Sequence, residues 1–236
     1  MTSIDDSAAA PRWRPLDEPQ RRVLGVLIEK AKTTPAGYPM SVNAIVVGCN
    51  QKSNRDPLTD YDDFTVEKAL SELQTLGVVK EIDWVGRVPK YKHLAYEWLG
   101  VRPVELAILG ELLLRGPQTM GDLRARTSRM ETIEDLSALK PIVDGLVARR
   151  LMIELTPSGR GQMVTHNLYP PGELEQARGQ AAGRDEPASA SHGPRNPAEV
   201  TARSDASAPL LAEIAELRAQ LAGLRERIEK LESQIG

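Results

Sequence analysis

The sequence predicts a mainly α chain with small β-hairpins, an α+β class, in which one folded unit occurs twice ahead of a linker and a C-terminal coiled-coil helix. Three observations predict it. Three segments with helical apolar spacing, then two alternating segments around a glycine turn, appear twice in the same order. A stretch rich in Ala, Ser, Gly, Pro and charge follows, and the last segment carries an unbroken heptad pattern.

Residues 1–15 are small, polar and proline-containing, with Trp13 between Arg12 and Arg14, and are expected to be disordered. The first unit, 16–100, opens at Asp17, an N-cap with Gln20 three residues on. A stripe of Val23, Leu24, Leu27 and Ile28 follows and ends near Thr33-Thr34-Pro35. Ser41 caps a short second helix carrying Val42, Ile45 and Val46. A third helix begins near Thr65, turns Val66, Ala69, Leu70, Leu73 and Leu76 inward, and stops at Gly77. Residues Val78–Trp84 and Lys90–Leu94 alternate around Gly86 and predict a hairpin.

The second unit, 101–170, repeats the order. Pro103 opens a helix with Val104, Ala107, Ile108 and Leu112, closed by Gly116-Pro117, and Thr119 caps a short helix. A third helix spans Asp135–Arg150; Pro141 within it is expected to kink it or to move its start to Lys140. Leu151–Leu155 and Met163–Leu168 then flank a Pro157-Ser158-Gly159 turn, and His93 and His166 fall at matching points of the two final strands. Three helices followed by a hairpin is the order of a winged helix-turn-helix, so the body reads as two such domains in tandem.

Residues 171–209 hold only isolated aliphatics and are expected to form a disordered linker, because they cannot bury enough surface to offset the entropy of ordering. In 210–236, Leu210, Ile214, Leu217, Leu221, Leu224, Ile228, Leu231 and Ile235 alternate in steps of four and three. With Leu at d and mostly Ile at a, the seam favours a parallel homodimer, and Glu213 facing Arg218 and Arg227 facing Glu232 are opposite in sign. The competing reading is an amphipathic helix folded back on its own body.

Composition narrows the function. The 236 residues carry 30 Lys+Arg and 33 Asp+Glu, a net charge of -3, which excludes coating of nucleic acid by overall charge. Any DNA contact must come from a local patch. The single cysteine, Cys49, excludes an internal disulfide or a multi-cysteine zinc site; with no membrane span and no signal-peptide pattern at Met1–Asp6, a cytoplasmic location is expected. Three histidines without ligand spacing and no glycine-rich phosphate loop predict a chain without metal or cofactor. Cys49 with His93 or His166 is the only nucleophile-base pairing on offer, and a thiol at the end of an apolar helix is ordinarily buried, so no enzymatic activity is expected. The Asp60-Tyr61-Asp62-Asp63 cluster lacks the alternating ligands of a calcium loop and reads as charge at a helix N-terminus.

A winged helix that reads DNA places its third helix in the major groove and its wing along the phosphates. The third helix of the first unit offers Glu67, Lys68, Glu72 and Gln74, too acidic for base reading. The loop before it supplies Asn50, Gln51, Lys52, Asn54 and Arg55, and the wing Arg87, Lys90 and Lys92, together a candidate phosphate grip. The second unit contributes Arg124, Arg126 and Arg129 around its second helix, and Arg149, Arg150 and Arg160 towards its wing. Two readings of the 50–57 loop stay open: a binding site, or a structural brace in which Arg55 clamps a carboxylate such as Asp56 or Asp60.

Residues 16 to about 170 resemble the YceH-like family of uncharacterised bacterial proteins. The likeness rests on Val23-Leu24-Gly25-Val26-Leu27-Ile28-Glu29-Lys30, Thr33-Thr34-Pro35, Tyr38-Pro39-Met40-Ser41-Val42-Asn43, the nine-residue string Cys49–Pro57, and Gly86–His93. It implies a tandem winged-helix body and a dimer, with no biochemical activity to carry over. The second unit departs from the pattern at Thr156–Gln162, where an arginine-rich wing is expected, and the linker and last helix lie outside the strong likeness. The expected function is DNA binding, as in a transcriptional regulator; the alternative is a protein-docking module without DNA binding.

Overall fold

The computed structural model describes residues 13–82, 88–159 and 161–182. Trp84, Gly86 and Arg87 of the expected first wing, Arg160, the residues beyond 182, and the heptad positions Leu210–Ile235 lie outside the described residues.

The first unit runs α1 (Glu18–Thr33), a 3-10 turn (Pro35–Gly37), α2 (Val42–Cys49), α3 (Asp63–Thr75), β1 (Val79–Ile82), β2 (Lys90–His93) and a short α4 (Ala95–Leu99). The second runs α5 (Pro103–Arg115), β3 (Gln118–Thr119), α6 (Met120–Thr127), α7 (Leu136–Ala148), β4 (Met152–Glu154) and β5 (Met163–His166), and α8 (Pro171–Ala182) follows. The architecture is mainly helical, with a two-stranded antiparallel sheet in one unit and a three-stranded one, order β3-β5-β4, in the other. Among the described residues no helix is long and apolar enough to cross a membrane.

Local signals set the helix ends. Asp17 accepts from the Gln20 N–H at 2.9 Å and the Gln20 side chain accepts from the Asp17 N–H at 3.1 Å, the predicted reciprocal cap. Ser41 and Thr119 cap α2 and α6. The cap of α3 is Asp62 rather than Thr65, whose N–H donates to it at 2.8 Å. Asp135 caps α7, and the helix runs as one segment through Pro141 without the later start at Lys140. Proline leaves the Ser137 carbonyl without its helical donor, and both residues are exposed, so water can serve that carbonyl.

The two units repeat in atomic detail at a constant offset from the third helix onward. Asp62 and Asp135 are the helix caps; Val66, Leu70 and Leu73 correspond to the buried Leu139, Val143 and Leu146. Gly77 (φ 73°) and Arg150 (φ 59°) make the same left-handed exit, after which the Val78 and Leu151 N–H groups bond back to Leu73 and Leu146. His93 and His166 end the last strands, opposite Val79 and Met152. The Nδ1 of each accepts from the N–H two residues on, Ala95 at 3.3 Å and Leu168 at 3.2 Å, and each ring packs on the tyrosine three residues on. Even the third strand has its counterpart, the Met40–Tyr91 bridge in the first unit standing where β3 pairs with β5 in the second.

One core serves both units. The predicted stripe on α1 understates its burial: every residue from Arg21 to Glu29 is buried, as is every residue from Glu105 to Leu114 on α5. A helix buried all round is central, and these two pack on each other. A Cβ on Gly110 would stand 2.7 Å from Ile28 Cγ2, and one on Gly25 3.0 Å from Leu114, so glycine permits the close approach.

Two expected disordered segments need correction. Trp13, within the 1–15 lead-in, packs on the core just ahead of Leu16, the fully buried first residue of the first unit, whose N–H bonds to the Leu168 carbonyl at 2.8 Å. Residues 171–182, assigned to the linker, form α8, which Ala177 and an Arg21–Glu173 ion pair hold to the body. A single buried apolar residue supplies no periodicity to read in the sequence.

Candidate nucleic-acid interface

The loop between α2 and α3 turns its polar side chains inward. Asn50 braces the chain that enters α3, donating to the Tyr61 carbonyl and accepting from the Tyr61 N–H, both at 2.8 Å. Gln51 accepts from Arg55 at 2.9 Å and from Lys30 at 3.4 Å, and Asn54 accepts from Arg115 at 2.9 Å. Arg55 is the hub. Its Nε donates to the Gly48 carbonyl at 2.9 Å, and its Nη1 and Nη2 hold Glu29 bidentately at 3.2 and 2.5 Å. Its side chain is fully buried, so as folded it reaches no phosphate.

The brace reading therefore describes these four residues, with one correction: the carboxylate that Arg55 clamps is Glu29, not Asp56 or Asp60. Lys52 alone of the five loop residues is exposed.

Glu29 belongs to a larger buried network. Arg129 donates to both Glu29 and Glu111, the latter at 2.7 Å, and Arg115 Nε stands 3.2 Å from Glu111. Glu29 and Arg55 come from the first unit; Glu111, Arg115 and Arg129 come from the second. Burial by itself drives Glu29 up and Arg129 down, and the ion-pair bonds outweigh it in both, so Glu29 sits below its ordinary value and Arg129 above. The chemistry is that of a clamp between the units: both carboxylates are ion-paired, Glu111 Oε1 by charge contact with Arg115 and without a hydrogen bond.

Three further arginines of the second unit are also engaged. Arg124 donates to the Glu134 carbonyl at 2.9 Å, Arg126 to Gln118 at 2.9 Å, and Arg149 to Glu105 and to the Gly100 carbonyl at 2.8 Å. Arg150 is exposed. The second hairpin buries all of β5, and Glu154 accepts from Gln162 at 2.6 Å, so its described part presents no basic face.

The first hairpin does. In its register Lys80 stands directly opposite Lys92, and Ile82 opposite Lys90. Side chains two apart share a strand face, which places Lys80, Lys90 and Lys92 together while Val79 and Tyr91 turn into the core. Like charges directly opposite across a strand pair destabilise it. Lys80 was missed in the sequence because its partner is fixed only once the register of the two strands is known.

Beside this hairpin, α3 exposes Phe64 (73 %), Glu67, Lys68, Ser71 and Gln74, the mixed-charge face the sequence predicts. Cys49 is fully buried and burial pushes its thiol up to about 12, which keeps it protonated and inert. Burial likewise holds His93 neutral, down at about 4, and His166 well below the ordinary range. No cluster of three or more histidine, cysteine, aspartate or glutamate side chains suited to a metal occurs among the described residues.

A duplicated, mainly helical unit with small antiparallel sheets, joined by a buried ion-pair clamp, defines a class of α+β protein. The chain belongs to the family described as Protein of unknown function, DUF480, whose model matches residues 16–161. It is 48% identical over 191 residues to UPF0502 protein RB6530 of Rhodopirellula baltica, covering 79% of this chain and 81% of that one. A UPF0502 protein of Geotalea daltonii is 50% identical over 134 residues, 57% of this chain and 62% of the other. The UPF0502 protein Acid345_3645 of Koribacter versatilis is 44% identical over 159 residues, 66% of this chain and 74% of the relative. The YceH-like resemblance read from the motifs is this family.

Proposed function

We propose that the two units are winged-helix domains and that the chain is a non-enzymatic DNA-binding protein, gripping phosphates with the lysine face of its first hairpin. The observation that carries this is the Lys80–Lys92 pair with Lys90 beside it. Two lysines paired directly across the strands cost hairpin stability, and an anionic backbone laid along them offsets that cost. The exposed Lys52 extends the grip, Arg87, outside the described residues, is its further expected contact, and the inward-turned Asn50, Gln51, Asn54 and Arg55 are its scaffold. Parallel pairing through Leu210, Ile214, Leu217, Leu221, Leu224, Ile228, Leu231 and Ile235 would tether two such faces and raise their joint affinity.

Replacing Lys92 with glutamate tests this. It turns a repelling pair into an attracting one, so the hairpin should hold or gain stability while duplex affinity falls. An unchanged duplex affinity would remove the hairpin from the interface. A second reading, protein docking, is favoured by Phe64: a ring that is 73 % exposed in the first turn of α3 suits an apolar partner better than a base edge. Absence of duplex binding by the wild-type chain, even at low salt, would select it.

A further inference from the structure

A cleft of about 310 Å³ opens where α1, the end of α5, β5 and α8 meet. Three arginines line it, and two are spoken for. Arg21 donates to the Leu16 carbonyl and to Glu173 and lies 4.7 Å over the Tyr169 ring, and Arg115 is held by Glu111 and Asn54. Arg22 differs from both. It is 2% exposed, Nη2 donates to the Pro57 carbonyl at 2.6 Å, and Nη1 is buried with no hydrogen-bond partner. Among the described residues no carboxylate lies within ion-pair distance of it, whereas Arg21, Arg55 and Arg129 each hold a glutamate.

A buried cation without a counter-charge is costly, and removing one partner from such a pair is among the more damaging changes a protein can suffer. Arg22 and Pro57, whose carbonyl takes Nη2, are both lining residues of the cleft. Leu112, Leu113, Pro117, Met163 and Tyr169 supply an apolar side to the same space. Glu18, Asp56 and Glu173 also line it, which makes the cleft a poor host for a dianion.

We infer that this cleft binds a small organic monocarboxylate, its carboxylate completing Arg22 and its apolar body lying against Leu113, Pro117 and Met163. One unanswered positive charge calls for one negative charge. The planar fork of arginine suits a carboxylate, and a cleft of this size accepts a ring or a short aliphatic chain. The inference is independent of the lysine face and of DNA.

The test uses the full chain, with benzoate and phenylacetate as probes, benzamide and phenylacetamide as neutral matches, and inorganic phosphate as the dianion. Thermal unfolding should show Tm climbing with the logarithm of carboxylate concentration above Kd, with no rise for the amides or phosphate. Arg22→Met should abolish the carboxylate effect and, by removing an uncompensated charge, leave the ligand-free Tm unchanged or higher. Gln176→Trp, at an exposed lining position on α8, should also abolish the effect with the core intact. The inference is overturned if neither carboxylate raises Tm, if the amides or phosphate raise it equally, if the carboxylate effect survives Arg22→Met, or if Arg22→Met lowers the ligand-free Tm.

Discussion

Replacing Glu29 with alanine leaves the fully buried Arg55 guanidinium, and Arg129 beside it, in a site built around two carboxylates and left with one. The Glu29 and Arg55 side chains are 2% and 0% exposed, and three residues from two units meet at that carboxylate. Breaking a buried pair from one side costs about 3–5 kcal/mol, because the surviving charge stays desolvated. Against a total of about 5–15 kcal/mol that is a large fraction. With a urea dependence of about 2.5 kcal/mol per molar, the midpoint should fall by roughly 1–2 M. Urea unfolding followed by circular dichroism measures it, on Glu29→Ala, Arg55→Ala and the double variant. The double variant should be less damaged than the sum of the singles, with a coupling of about 2 kcal/mol. A loss below about 1 kcal/mol for Glu29→Ala, the size of an exposed pair, or singles that simply add, would refute the clamp.

The acid limb should show two separate groups. His93 and His166 are held neutral in the fold, so their contribution is complete above the unfolded value of about 6.5 and is lost as pH falls below it, by up to about 1.4 kcal/mol per pH unit for each. His93→Asn with His166→Asn should flatten that limb in pH-dependent urea midpoints; an unchanged slope would contradict it. Glu29, held below its ordinary value, contributes stability present above about 4.3 and lost below it, a limb that Glu29→Gln removes. Arg150→Gly should stabilise by about 1 kcal/mol, because the exposed arginine occupies the left-handed turn that Gly77 fills in the first unit; a loss in thermal or urea unfolding would contradict that. Gly110→Val should cost about 2–3 kcal/mol by driving a side chain into Ile28 Cγ2 between the central helices.

Much of the fold was legible in local signals. The Asp17–Gln20 cap, the Ser41 and Thr119 caps and the matched histidines each depend on residues close in sequence, and all stand where the pattern places them. What escaped was long-range. Glu29 reads as one charge at the end of an apolar stripe, and only the packing of the second unit buries it against Arg55 and Arg129. The same packing turned Asn54 and Arg129 from apparent DNA contacts into internal partners, and contacts within the second unit did so for Arg124, Arg126 and Arg149. α8 lacks an amphipathic pattern and depends on the Arg21–Glu173 pair, whose members are far apart in the chain. Lys80 was visible as a residue, yet its meaning depended on a register that composition does not fix.

The central claim is that the hairpin's lysine face neutralises phosphates. The most direct measurement is fluorescence anisotropy of a labelled mixed-sequence duplex titrated at several salt concentrations with the wild-type chain and with Lys80→Gln/Lys90→Gln/Lys92→Gln. Each phosphate contact contributes about 0.9 to the slope of log affinity against log salt, so the account predicts a slope shallower by about 2.7 in the triple variant, with unfolding midpoints unchanged or raised. An identical slope in the two proteins, or no duplex binding by the wild-type chain at low salt, would contradict it.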